Sequence, residues 1–256
     1  MTYFIDSHTH ITNEELDVNV YLEDVARAKE LGINKAMMVY TFKEELDKTY
    51  PTLSNDEYFD FAYGIYPSDT TEIKEEWFED LKQVLTNGKF KALGEIGLDY
   101  HWYPDNKEIQ KEIFRRQVAL ADELNLPIII HARDAIQDTY DILKSTPCKR
   151  KGVMHCYSGS AEMAVEFIKL GYYVSFSGTI TFKNNRRGIE TLNAIDKNYL
   201  LCETDAPYLT PVPYRGKRNE TMYVKNVYEF IANELNMDIE VLKQLVQTNY
   251  YNLFGH

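Results

Sequence analysis

The stretch Phe4-Ile5-Asp6-Ser7-His8-Thr9-His10, FIDSHTH, decides between two ways of folding an alternating α/β chain. It reads as a short buried strand that closes on two imidazoles one residue apart. An open doubly wound sheet usually carries a glycine-rich phosphate turn after its first strand. Here the strand ends in His-Thr-His with no glycine. Two exposed polar residues on an opening loop would look the same, so the rest of the chain has to choose.

Outward from that stretch, apolar runs recur. Candidate strands are 3–8, 35–40, 60–65, 91–97, 127–131, 152–156, 172–177 and 199–204. Runs such as Pro127-Ile128-Ile129-Ile130-His131 suit parallel strands buried on both faces. Helical spacing lies between them. Tyr21, Leu22, Val25, Ala28 and Leu31 share a face in 20–31, and Ile109, Ile113, Val118, Leu120 and Leu124 do so in 108–124. Asp134 and Ser160 read as N-caps. A last helix is expected at about 238–251. Eight strand–helix units predict a (β/α)8 TIM barrel with an extra C-terminal helix. With no linker, low-complexity segment or repeat, residues 1–256 are expected to form a single domain.

Composition bounds the function. The chain has 256 residues and a formal net charge of −12, which excludes a passive nucleic-acid coat protein. Basic patches nonetheless occur at Arg115-Arg116, Lys149-Arg150-Lys151, Arg186-Arg187 and Arg215-Gly216-Lys217-Arg218. Each can also be read as a solvated helix end or loop. Cys148, Cys156 and Cys202 form no CxxC pair and fit a reducing compartment. No apolar run approaches the ~18 residues of a membrane span, and no secretory signal pattern opens the chain. A cytoplasmic location, no membrane and no obligate protein partner are therefore expected.

Six polar residues sit where the predicted strands end. His8 and His10 close strand 1, Glu95 lies near the end of strand 4, His131 closes strand 5, His155 closes strand 6, and Asp205 follows strand 8. In a parallel barrel these ends open on one face, where active sites gather. The strand period of two points His8 and His10 the same way and Thr9 outward. It also turns Cys156 away from the side of His155, and lets Glu203 share a face with Asp205 and orient a ligand histidine or a water. Imidazoles and carboxylates suit Zn, Mn, Co, Fe or Mg. Six ligands are too many for one catalytic zinc and about right for two divalent ions sharing a carboxylate. Such a pair can share a hydroxide and clamp an in-line phosphoryl displacement, with a nearby carboxylate taking the proton.

The ordered series DSHTH (6–10), GEIGLDY (94–100), PIIIHAR (127–133), HCYSGS (155–160), GYYVSFSGTITF (171–182), ETDAPYLTP (203–211), PYRGKRNE (213–220) and NYYNLF (249–254) resembles the TatD family of metal-dependent deoxyribonucleases, in the amidohydrolase-like superfamily. The resemblance runs nearly the whole chain. It implies that His8, His10 and Asp205 hold one ion, that His131 and His155 hold the second, and that Glu95 bridges them. It further implies Asp205 as the proton acceptor and DNA as the substrate, single-stranded or at 3′ ends, cleaved 3′ to 5′. Members are credited with roles in DNA repair. Four imidazoles lean towards Zn, Mn or Co, while family activity is often described with Mg. One departure is Gly64-Ile65-Tyr66-Pro67-Ser68, which stands where the family commonly has GxHPH, so both of those histidines are absent. Another is Arg218-Asn219-Glu220-Thr221 in place of RNEP.

Arg133, Tyr157, Ser158, Arg215 and Tyr66 are the candidates for substrate contact. The two arginines can grip phosphate, and the tyrosines can stack on a base. Arg133 can also simply pair with an acid, and Tyr157 can be barrel packing. His101 reads as an exposed loop histidine or a substrate contact. Two rival functions remain open: an amidohydrolase or deacylase on the same metals, acting for instance on aminoacyl-tRNA, and a non-catalytic metal- or nucleic-acid-binding module. A basic groove beside the metals would favour nucleic acid.

Overall fold

The computed structural model describes residues 2–11, 18–68 and 72–256. Eight strands alternate with helices: β1 Phe4–Thr9, α1 Val18–Glu30, β2 Ile33–Tyr40, α2 Lys43–Leu53, β3 Phe59–Tyr63, α3 Glu75–Asn87, β4 Phe90–Asp99, α4 Lys107–Leu124, β5 Ile128–Arg133, α5 Ile136–Ser145, β6 Gly152–Met154, α6 Ala161–Lys169, β7 Tyr173–Phe176, α7 Arg186–Ala194, β8 Leu200–Cys202 and α8 Val224–Glu234. The extra C-terminal helix is α9, Ile239–Phe254. All neighbouring strands pair in parallel and in chain order, β1 to β8. The expected TIM-barrel-like fold is therefore observed.

The sequence explains the layers. Ile128, Ile129 and Ile130 are each fully buried, because one face of β5 meets the barrel interior and the other meets helices. Helix α4 ends on Asn125, whose left-handed backbone (φ 55°) turns the Leu126 N–H back to the Ala121 carbonyl at 2.9 Å. Helix α9 packs on β1 and β8. It buries Leu242, Val246, Leu253 and Phe254, and its Tyr250 hydroxyl donates to Asp60 Oδ2 at 2.8 Å.

The barrel is nearly closed, and its last seam is unlike the others. Between β1 and β8 there is one isolated bridge, Thr9 with Ala206. The His10 N–H donates to the Ala206 carbonyl at 2.8 Å, and the Asp205 N–H to the His8 carbonyl at 3.0 Å. Below them a side chain replaces the ladder. The Asp6 carboxylate accepts the Thr204 N–H at 2.9 Å and the Thr204 hydroxyl at 2.6 Å. Its own strand adds the His8 N–H at 3.3 Å. Asp6 is fully buried.

Carboxylates also cut strands short. Strand 6 was expected to run to 156 and strand 8 to 204, but they end at Met154 and Cys202. Cys156 turns to a left-handed backbone (φ 42°) and gives its N–H to side chains, Glu203 Oε1 at 2.7 Å and Ser175 Oγ at 3.2 Å, instead of to a ladder carbonyl. Ser160 caps α6 as expected, accepting the Met163 N–H. Asp134 does not cap α5. Its backbone is left-handed (φ 54°), Ala135 occupies the cap position, and its carboxylate lies 3.3 Å from His101 Nδ1.

Replacing Asp6 strands two buried donors of Thr204, each of which costs about 1–3 kcal/mol when left without an acceptor. Asp6→Ala is expected to lower the urea unfolding midpoint, at an unchanged m-value, by an amount equivalent to about 2–4 kcal/mol. A midpoint within error of the parent would show that the seam does not depend on this carboxylate.

Candidate metal centre

Five strand ends deliver six side chains to one point at the C-terminal face. His8 lies in β1 and His10 follows it. Their Nε2 atoms are 2.9 Å apart, as a shared direction across Thr9 requires. Thr9 faces the other way, its hydroxyl 3.4 Å from that of Thr221. Glu95 comes from β4, His131 from β5, His155 from the end of β6 and Asp205 from just beyond β8.

Glu95 organises the cluster, because its two oxygens face different partners. Oε2 lies 3.6 Å from His8 Nε2 and 3.5 Å from His10 Nε2. Oε1 lies 2.9 Å from His131 Nδ1 and 2.7 Å from His155 Nε2. Asp205 Oδ1 stands on the first side, 3.7 Å from His8 Nε2 and 3.4 Å from His10 Nε2. Two donors about 2.1 Å from a tetrahedral ion lie about 3.4 Å apart, so the separations about Oε2 and Asp205 Oδ1 fit ligand edges, while those about Oε1 are direct hydrogen-bond distances. Three overlapping triads have donor atoms within 4.8 Å of one another: His8–His10–Glu95, Glu95–His131–His155 and His8–His155–Asp205. The donor set is able to hold metal.

The outer ring nitrogens fix which lone pairs face inward. His10 Nδ1 is 2.8 Å from the Val39 carbonyl, so it carries the proton and Nε2 is left as the donor to a metal. His131 is reversed: Nε2 is 3.0 Å from Asp99 Oδ2, and Nδ1 faces Glu95. His155 Nδ1 lies 3.3 Å from Glu203 Oε1, the orienting position expected for Glu203. Glu203 also accepts the Ser175 hydroxyl at 2.6 Å. His8 Nδ1 is buried without a partner.

Burial alone would raise the Glu95 carboxyl, but His155, His131 and His8 hold it well below the usual carboxylate range. Burial is likewise outweighed at Asp205, which His10, His155 and His8 lower. Against its own burial, His10 is pushed up to about 9 by Asp205 and Glu95, and His155 well up by Glu95 and Glu203. Burial lowers His8, with His155 and His10 adding to the effect. The carboxylates are charged and draw protons onto their neighbours, and a divalent cation takes the place of such protons.

Two features escaped the sequence reading. Asp99 is fully buried, orients His131, and accepts the N–H groups of His101 (3.0 Å) and Trp102 (2.9 Å) on its other oxygen. Its place two pleats beyond Glu95 on the same strand was the available signal. Gly97, between them, has φ 142°, and a Cβ there would sit 1.9 Å from the His131 carbonyl oxygen. Only glycine lets β4 lie against β5 at the ligand.

The candidates for substrate contact divide. Tyr66, held by a loop whose Ile65 N–H donates to Gln117 Oε1 at 2.8 Å, places its hydroxyl 3.4 Å from His131 Nε2 and 3.5 Å from Asp99 Oδ2. Arg133, Ser158 and Arg215 are exposed. Tyr157 is buried, its hydroxyl donates to the Ser160 carbonyl at 2.9 Å, and its ring meets Phe167 edge-on. Its ring is consumed by packing under α6 and is no stacking platform. His101 is exposed on the rim. Cys156 stays out of the cluster, its Sγ 3.1 Å from Ser177 Oγ. Among the described residues no helix is long and apolar enough to cross a membrane.

Asp99→Asn would present an amide N–H to His131 Nε2 and force the ring proton onto Nδ1, the inward nitrogen. Metal affinity, measured by competition with a chromogenic chelator, is expected to fall about 10–100-fold. Equal affinity in variant and parent would remove Nδ1 of His131 from the ligand set.

Comparison with known proteins agrees with this geometry. The family model described as TatD related DNase matches residues 5–255. An uncharacterized metal-dependent hydrolase of Bacillus subtilis, YabD, is 41% identical over 250 residues, covering 97% of this chain and 98% of its own. Another from Escherichia coli K12, YcfH, is 34% identical over 259 residues, covering 98% and 96%. Among solved structures, the TatD homolog YjjV from E. coli K12 superposes with a TM-score of 0.90 at 28% identity, covering 99% of this chain and 98% of that one.

Proposed function

We propose that this chain, which belongs to the TatD family of metal-dependent hydrolases, hydrolyses phosphodiester bonds of DNA from a 3′ end. In this reading His8, His10 and Asp205 hold one divalent ion, His131 and His155 hold a second, and Glu95 is shared. The observation that carries the substrate is a rim of cations at the same end of the barrel. Lys183, Arg186 and Arg187, after β7, and Arg215 and Lys217, after β8, are exposed. None of them meets a carboxylate within ion-pair distance among the described residues. The Arg215 guanidinium lies 4.0 Å above the Phe182 ring, which brings the two basic segments together. In a chain of net charge −12, five unpaired cations beside the site are where a polyanion is drawn. A small neutral amide would leave them without a purpose.

Divalent ions held by these residues would supply positive charge to the phosphate oxygens and would bring a water's pKa towards neutrality. Asp205 is the proposed proton acceptor. Its neighbours keep it ionised, and it is more open to the mouth than Glu95, at 13% side-chain exposure against 3%. Glu95 has both oxygens engaged, so its role is to hold and not to shuttle. Glu203 and Asp99 keep His155 and His131 aimed. Tyr66 stands beside His131, where its hydroxyl can donate to a phosphate oxygen.

The test is purified protein with 3′-labelled single-stranded DNA and Mg, Mn, Co or Zn, alongside elemental analysis. Two metal equivalents and stepwise shortening are expected in the parent, with activity lost in Glu95→Gln. No cleavage with any of these metals, while an amide or ester panel is hydrolysed, would replace this reading with an amidohydrolase or deacylase. In the triple variant Arg186→Ala, Arg187→Ala, Arg215→Ala, the slope of log(kcat/KM) against log[salt] should flatten by about 2, at about 0.7 per lost phosphate contact on a single strand. An unchanged slope would place the strand elsewhere.

A further inference from the structure

We propose that Trp102 is a nucleobase-stacking subsite on the β4–β5 edge of the mouth, fixed relative to the metal ligand His131 through Asp99. This rests on the nucleic-acid reading above. Seven large apolar side chains are exposed among the described residues, and four of them, Phe42, Trp102, Tyr208 and Val212, belong to loops on the C-terminal face. Trp102 is the most exposed, at 62%. A fold that needed this indole for packing would cover it.

Its surroundings suit a base. The Arg133 guanidinium lies over one face of the indole, 5.4 Å from its centroid, and has no carboxylate partner among the described residues, which leaves the other face for a base. An aromatic face beside an unpaired cation is what single-strand binders use, the ring taking the base and the cation the adjacent phosphate. His101 meets the indole edge-on at 4.8 Å and backs it from the Asp134 side. The platform is held before any ligand arrives. Asp99 Oδ1 accepts the His101 and Trp102 N–H groups while Oδ2 contacts His131, and Gln110 of α4 donates to the Tyr103 carbonyl at 2.8 Å. The cations after β7 and β8 lie across the mouth. A strand with its backbone on that rim extends its bases towards β4 and β5, and a base must be unpaired to stack there.

Trp77 is the only other tryptophan, so a Trp77→Phe background leaves Trp102 as the reporter. Metal-loaded protein is titrated with a phosphorothioate-linked oligothymidylate that resists cleavage, and with an abasic chain of equal length. Saturable quenching by the first and not the second is expected; equal quenching by both, or none, overturns the subsite. In cleavage assays Trp102→Ala is expected to lower kcat/KM for oligothymidylate about 5–150-fold, the range of one base–aromatic stack. The loss should fall on KM, and Trp102→Phe should restore most of it. An Ala variant matching the parent on both chains overturns the subsite while the nuclease reading stands. Quenching without cleavage of any DNA would sink the nuclease reading and leave the subsite.

Discussion

The site depends on closing the barrel between its first and last strands. Asp6 and Thr204 are 198 residues apart, and the bond between them sits directly below the His8–Asp205 and His10–Ala206 backbone bonds. An ordinary parallel ladder would have served the fold alone. What this seam adds is alignment: it sets His8 and His10 against Asp205, so half of the ligand cluster exists only when the two ends of the barrel meet. A buried carboxylate is a costly way to join strands. Here it satisfies three donors that a slipped register would leave unpaired, which makes any other register of β1 on β8 unfavourable.

Much of this was legible in the sequence for one physical reason. Strands buried on both faces are continuous apolar runs, so the polar residue that ends each one stands out. FIDSHTH, PIIIHAR and the Gly94-Glu95 pair were readable on that basis. The features that escaped depend on register and loop geometry. Asp99 closes β4 as many turn residues do, and only the pairing of Gly97 with His131 and of Asp99 with Arg133 carries it to the ligand's outer nitrogen. Tyr157 looked like a stacking residue because it follows the ligand His155. The left-handed turn at Cys156 instead sends it under α6. Asp134 looked like a cap for a similar local reason, and the extra residue Ala135 took the position.

Charge is distributed against the net balance. An overall −12 keeps the body repelling polyanions, while Arg133, Lys183, Arg186, Arg187, Arg215 and Lys217 near the mouth have no acidic partner among the described residues. Elsewhere a number of lysines and arginines are paired with acids, as with Lys29 and Asp56 or Arg116 and Glu75. Surface pairs like these add little stability.

The four imidazoles do not present the same atom, and the difference ties the metal cluster to its rim. His8, His10 and His155 face inward through Nε2, whereas His131 uses Nδ1. An Nδ1 donor brings the ligand's backbone closer to the cluster, and a side chain at Gly97 would block that approach of β4 to β5. It also turns Nε2 outward, within reach of Asp99 and of the Tyr66 hydroxyl. The same Asp99 carboxylate fixes the backbone under Trp102. A shift of this rim therefore acts on a ligand's hydrogen bond, and a change at the ligand acts on the rim. The His131 ring and the backbone of the β4 loop are thus held by one buried carboxylate, so the cluster and this side of the mouth are positioned together.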